Sequence, residues 1–226
     1  MSHTYILGQQ NSPSAVSDAV DLKLRGTRDG AAFTAPWIQA LVLEGRVFGS
    51  GNGATALGVA AGTFSDGALD TDEFDYLQTI PATVAVIPVY IRLCIVTVGT
   101  ALETGFHAFW GGSGVAHATN VAVTPHNLRP GSSNVSACTV VTIADTGGTA
   151  FVPAGLIARD VAMMLTPAAN QATAFIPQWS CAQAGYAPVI EGGVSPTKQI
   201  AIFVTGQAET GYLHHVWVEL PIARVT

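Results

Sequence analysis

The chain is short of charge. Of its 226 residues only 9 are basic and 15 acidic, 11% in all, where a soluble domain ordinarily carries about 25%. Lysine is nearly absent, with Lys23 and Lys198 alone. The arginines are scattered and the net charge is −6. No basic stripe is there to displace counterions from a phosphate backbone, so direct nucleic-acid binding is not expected. Cysteine is scarce too. Cys94, Cys138 and Cys181 are far apart and odd in number, which excludes a disulfide framework and a zinc site built on close cysteine pairs. Cys94 and Cys138 sit in apolar, strand-like runs and read as buried free thiols. This usage suits folding in a reducing cytoplasm.

Other things are missing. After residue 62 no apolar stripe of period 3.6 appears, and there is no heptad or internal repeat. The composition is not that of a disordered chain, because 49% of residues are apolar and the mean hydropathy is +0.39. Met1-Ser2-His3-Thr4-Tyr5 lacks the basic-then-apolar pattern of a signal peptide, and none is expected. The longest apolar stretch, Val84 to Leu102, approaches membrane-spanning length. However, Pro88 and Arg92 interrupt it, and an arginine near mid-span costs about 2.5–3.5 kcal/mol on insertion scales. Two successive strands are expected there and no membrane contact.

What is present is strand after strand. Tyr90 to Val98, Ser136 to Ile143, Val161 to Leu165, Ala172 to Trp179, Gln199 to Thr205 and Tyr212 to Leu220 are rich in β-branched and aromatic residues. Turn signals separate them, among them Gly112-Ser113-Gly114, Arg129-Pro130-Gly131, Thr146-Gly147-Gly148 and Glu191-Gly192-Gly193. Short strands without intervening amphipathic helices predict an all-β fold, an antiparallel β-sandwich of jelly-roll-like form. Ile38 to Phe48 reads as a strand or a short helix, weakened by Glu44-Gly45. Gly49 to Gly62 reads as a small-residue loop and Asp66 to Asp75 as an acidic one. Residues 1–36 read as an extended N-terminal arm and 37–226 as a single sandwich domain. The last two runs, on either side of Gly206 to Gly211, predict an antiparallel hairpin with a six-residue loop. Many runs are apolar on both faces, whereas a sheet with one wet face alternates. We therefore expect other copies of the chain, or the arm, to cover what one sandwich leaves bare.

Chemistry-bearing patterns are thin. Gly51-Asn52-Gly53-Ala54-Thr55-Ala56 fits a loose dinucleotide-loop form, and Asp70 and Asp72 lie about 20 residues on. The βαβ rhythm it requires is absent, so a surface loop is the expectation and no cofactor is assigned. Asp66, Asp70 and Asp72 are the residues best placed to hold a cation through carboxylate oxygens, although their spacing is not that of an EF-hand and a solvated acidic loop is expected. His214 and His215 point to opposite faces of a strand, while His215 and Glu219 share one. That makes His215 and Glu219 the one candidate pair for a metal-dependent, cupin-like enzyme. Gly111-Gly112-Ser113-Gly114 lacks the nucleophile-elbow arrangement, and no carboxylate pair sits within a strand. No catalytic residue is assigned. Tyr5, Trp37, Trp110 and Trp217 are candidate interface anchors, and exposed tryptophans would alternatively suit a carbohydrate-binding module. Asn134-Val135-Ser136 is a formal glycosylation sequon.

One resemblance adds to this. Within Phe74 to Leu102, Tyr76-Leu77-Gln78-Thr79-Ile80-Pro81-Ala82-Thr83 precedes Val86-Ile87-Pro88-Val89-Tyr90-Ile91. This rhythm resembles strands of small bacteriophage and virus shell proteins. Val216-Trp217-Val218-Glu219-Leu220-Pro221 resembles a terminal jelly-roll strand. The resemblance implies a viral structural protein of the virion, a capsid or cement (decoration) subunit with no catalytic residues to carry over. Such a homo-oligomer would be folded in the host cytoplasm, with itself and other virion proteins as partners.

Overall fold

The computed structural model describes residues 36–52, 71, 74–97, 103–113, 121–142, 149–163, 176–194, 197–205 and 210–224. Its elements are a helix α1 (Trp37–Leu43) and strands β1 (Val47–Asn52), β2 (Tyr76–Ile80), β3 (Val84–Thr97) and β4 (Glu103–Gly112). Next come β5 (Val121–Val123), β6 (His126–Asn127), β7 (Thr139–Thr142) and β8 (Val152–Met163). They are followed by β9 (Gln178–Ser180), a short helix α2 (Cys181–Ala184), β10 (Ile190–Glu191), β11 (Lys198–Thr205) and β12 (Thr210–Pro221). All described strand pairings are antiparallel. Of the expected arm, residues 1–36, all but Pro36 lie outside the described residues, and with them Tyr5.

Two six-stranded sheets pack face to face. One runs β10-β3-β12-β1-β6, with β9 also on β3; the other runs β5-β7-β2-β11-β4-β8. The pairings are nested. β1 pairs with β12, β2 with β11, β3 with β9 and β10, and β4 with β8. First pairs with last and each inner strand with its counterpart, the signature of a chain wound as a jelly roll. The segment between β4 and β8 widens both sheets on the same side, β5 and β7 beyond β2 and β6 beyond β1. Pro88 has no N–H for a ladder. It sits where the β3–β12 register shifts and between the stretches of β3 that pair with β10 and β9.

Three apolar clusters follow from strands that are apolar on both faces. The largest lies between the sheets, around the fully buried Trp217, Tyr76, Ile91 and Ile202. A second covers the outer face of the second sheet. There Phe203 meets Phe74, Phe109 and Phe151 at ring-centroid distances of 6.5, 6.0 and 6.1 Å. A third covers the outer face of the first sheet, where Val47, Val216 and Val218 lie under Ile38, Leu41 and Val42 of α1 and Cys181 of α2. Burial of each such side chain stabilises by about 1.5–3 kcal/mol. Much of the covering expected above from other copies or from the arm is thus done by the chain's own α1, α2, Phe74 and Phe151.

Other expectations change as well. Gln199–Thr205 and Tyr212–Leu220 are strands but not a hairpin, since β11 lies in the second sheet and β12 in the first. The chain crosses between layers there because β12 is claimed by β1 and β3 over its whole length. Gly49 to Asn52 are not loop but the last four residues of β1. Both readings of Ile38–Phe48 hold in part. The helix ends at Leu43, Gly45 takes the left-handed conformation at φ 69°, and the strand begins at Val47. Asp75, read as part of a solvated acidic loop, is buried, and its carboxylate accepts the Val204 N–H at 2.6 Å.

Candidate functional site

The described strands leave few usable sheet edges. β6, β9, β10 and β5 are two or three residues long. The one long edge, β8, carries Pro153 and pairs with β4 through two register shifts. Short edges, proline and bulges all discourage strand addition. Contacts with another molecule are therefore better served by faces.

An apolar groove lies on the outer side of the first sheet. Trp37 and Ile38 of α1, Ile87 of β3 and the turn after α2 (Gly185, Tyr186, Ala187, Val189) border a groove of about 490 Å³. Trp37 is 50% exposed, Tyr186 68% and Val189 51%, and no charged side chain lines the groove. Local chemistry holds this arrangement. Ser180 caps α2 by accepting the Gln183 N–H at 3.2 Å, and Gly185 ends it at φ 76°. The C-terminal carbonyls of α1 are gripped from the 127–134 segment. Arg129 Nη1 donates to Leu43 O at 2.7 Å, Asn127 Nδ2 to Gly45 O at 2.9 Å, and Asn134 Nδ2 to Glu44 O at 3.2 Å.

Glu219 anchors the same segment from beneath. It is 6% exposed. Its carboxylate accepts the Ser136 hydroxyl, the Ala137 N–H at 2.9 Å and the Trp217 Nε1–H at 2.8 Å. The acid is satisfied by three neutral donors. Asn134 and Ser136, read as a sequon, hold α1 and Glu219 respectively.

His215 points the other way along the inner face. It is fully buried, with its Nδ1 3.1 Å from the Tyr76 hydroxyl, which lies 2.7 Å from Ser50 Oγ. Its Nε2 has no partner. We assign the proton to Nδ1, donating to Tyr76, because a bare lone pair is cheaper to bury than an orphan N–H. Burial, and to a smaller extent His214, pushes the His215 pKa down to about 3. Burial likewise pushes the Tyr76 hydroxyl and the Cys138 thiol well up; Glu219 adds to the shift of Cys138.

The candidate residues thus part company. His215 and Glu219 share a face as their spacing predicts, but Trp217 stands between them and each is engaged by its own partners, so they do not form a ligand pair. Among the described residues no group of three or more His, Cys, Asp or Glu is placed to hold a metal ion. Asp66, Asp70 and Asp72 lie outside the described residues. Trp217 is wholly buried in the inter-sheet core and does not reach an interface. Trp110 is half-buried against the same core, and Trp37 alone of the described candidates is exposed. Sequence reasoning missed Tyr186 and Val189. A large aromatic next to the α2-ending glycine was the available signal. No protein-family model matches the chain, and no curated protein matches it either.

Proposed function

We propose that the chain is a structural subunit of a bacteriophage particle, placed in the capsid shell or on it as a cement (decoration) protein, and that it acts by binding copies of itself and other virion proteins. The observation that carries this reading is the uncharged groove between α1 and α2, with Trp37 and Tyr186 exposed at its rim. An exposed apolar patch of this kind marks interaction surfaces, and buried aromatics anchor them. Supporting it are the low charge of the chain, the jelly-roll order of its strands and edges ill-suited to strand addition. The described residues begin at Pro36, next to Trp37 at the groove's rim. Size-exclusion chromatography with light scattering, followed by electron microscopy, tests the proposal. Defined assemblies larger than one chain are expected, and a monodisperse monomer at micromolar concentration overturns it.

A carbohydrate-binding module is the second reading, favoured by the same two exposed aromatics. The groove offers no acid or amide to fix sugar hydroxyls, which sets it behind the first. A glycan array separates the two, because a virion subunit of the kind proposed gives no sugar signal.

A further inference from the structure

His126 and His214 come from strands on either side of β1. His126 of β6 stands opposite Gly49 and His214 of β12 opposite Gly51. The two glycines put no side chain on the outer face of β1, so both rings lean over it. The imidazoles are nearly parallel (6°), with centroids 6.4 Å apart. A Cβ built on Gly49 would lie 3.1 Å from Nε2 of His126 and 3.4 Å from Nε2 of His214. Two imidazole nitrogens therefore border one small space that exists only because residue 49 is glycine. Tyr90 sets the His214 ring edge-on from the other side, at a centroid distance of 6.2 Å.

We propose that His126 and His214 form a two-imidazole site over Gly49 for a late first-row divalent cation, Zn²⁺, Ni²⁺ or Cu²⁺, with water completing the coordination shell. Imidazole is the ligand these ions share. A metal–nitrogen bond of about 2.0–2.1 Å to each Nε2 requires the two rings to turn toward a common point above Gly49. His126 is exposed at the sheet edge, where that rotation is unhindered. Arg92 of β3 pairs with His214, on the side away from Gly51; its charge opposes a cation but is exposed to solvent and screened. The bound ion would clip β6, and the α1-gripping segment that follows it, to the central strand β12.

The test uses full-length chain without a histidine tag. Calorimetric titration with each of the three ions, and with Mg²⁺ as a control, is paired with thermal melts. One equivalent of a late transition metal is expected to bind saturably and raise the melting temperature, with Mg²⁺ doing neither. Losing an outer-shell partner typically costs 10- to 100-fold in metal affinity, so His126→Ala or His214→Ala is expected to cost at least about tenfold. Gly49→Ala keeps both ligands and is expected to block the site. His126→Ala removes an exposed ring, and circular dichroism verifies that it folds. Absence of saturable binding, or binding that survives the double histidine variant, overturns the proposal.

Discussion

Acid is expected to destabilise the protein through His215. Burial holds this side chain neutral in the folded state, with a pKa of about 3, whereas in the unfolded chain it titrates near about 6.5. Between these values the unfolded state binds a proton that the folded state does not. Stability is therefore full above about pH 6.5 and is lost as the pH falls toward 3. Linkage over that window gives a loss of about 2 kcal/mol on going from pH 7 to pH 5 and about 4 kcal/mol by pH 3. That is a large share of a typical total of about 5–15 kcal/mol. Urea unfolding at pH 7, 6 and 5 measures it, with His215→Asn as the comparison. Asparagine keeps a polar atom facing Tyr76 and does not titrate. Other groups titrate alike in both proteins and cancel, so the wild type is expected to lose about 2 kcal/mol more than the variant between pH 7 and 5. Equal pH dependence in the two would refute the reasoning.

Four further outcomes are expected. Trp217→Ala empties the middle of the inter-sheet core and is expected to cost about 3–5 kcal/mol, read by calorimetric or denaturant unfolding. Glu219→Gln disturbs three hydrogen bonds to a buried carboxylate; a loss of about 1.5–3 kcal/mol is expected, with faster amide exchange across residues 133–138. Gly45→Ala forces a left-handed alanine whose Cβ meets Ser132 Oγ at 2.5 Å, for a loss of at least about 1–2 kcal/mol, and an unchanged melting temperature would contradict this. The paired change Trp37→Ser, Tyr186→Ser is expected to weaken self-association in light scattering while the fold melts nearly as before; assembly that is unaffected would remove the groove from the interface.

The strands were largely legible, because β-branched runs between glycine and proline turns leave little choice of local structure. β11 and β12 begin and end within two residues of the runs read from the sequence. Their partners were not legible. A short connection looks like a hairpin, and only the competing claim of β1 and β3 on β12 places it in the other sheet. Gly49 to Asn52 were misread for a related reason. Glycine is a poor strand former when judged alone, but here the missing side chains make room for two histidine rings from neighbouring strands. Strict alternation separated His214 from His215 correctly. It could not weigh Trp217, whose indole fills the space between His215 and Glu219 and takes the acid as its own partner. Apolarity on both faces was read rightly as a sign of covering. The identity of the cover was missed because α1 and Phe151 reach their places through long-range contacts that spacing does not reveal.

The nesting of the strands also orders events during synthesis. The strand at the centre of the first sheet, between β1 and β3, is β12, the last of the described strands to leave the ribosome. Until it emerges, β1 has only the two-residue β6 beside it and β3 only the short β9 and β10, and Phe48 and Ile91 lack the indole they pack around. Nascent chains must therefore keep greasy strands apart for most of translation. Pairings this distant in sequence make slow folders, so chaperone engagement is to be sought before residue 210 is made.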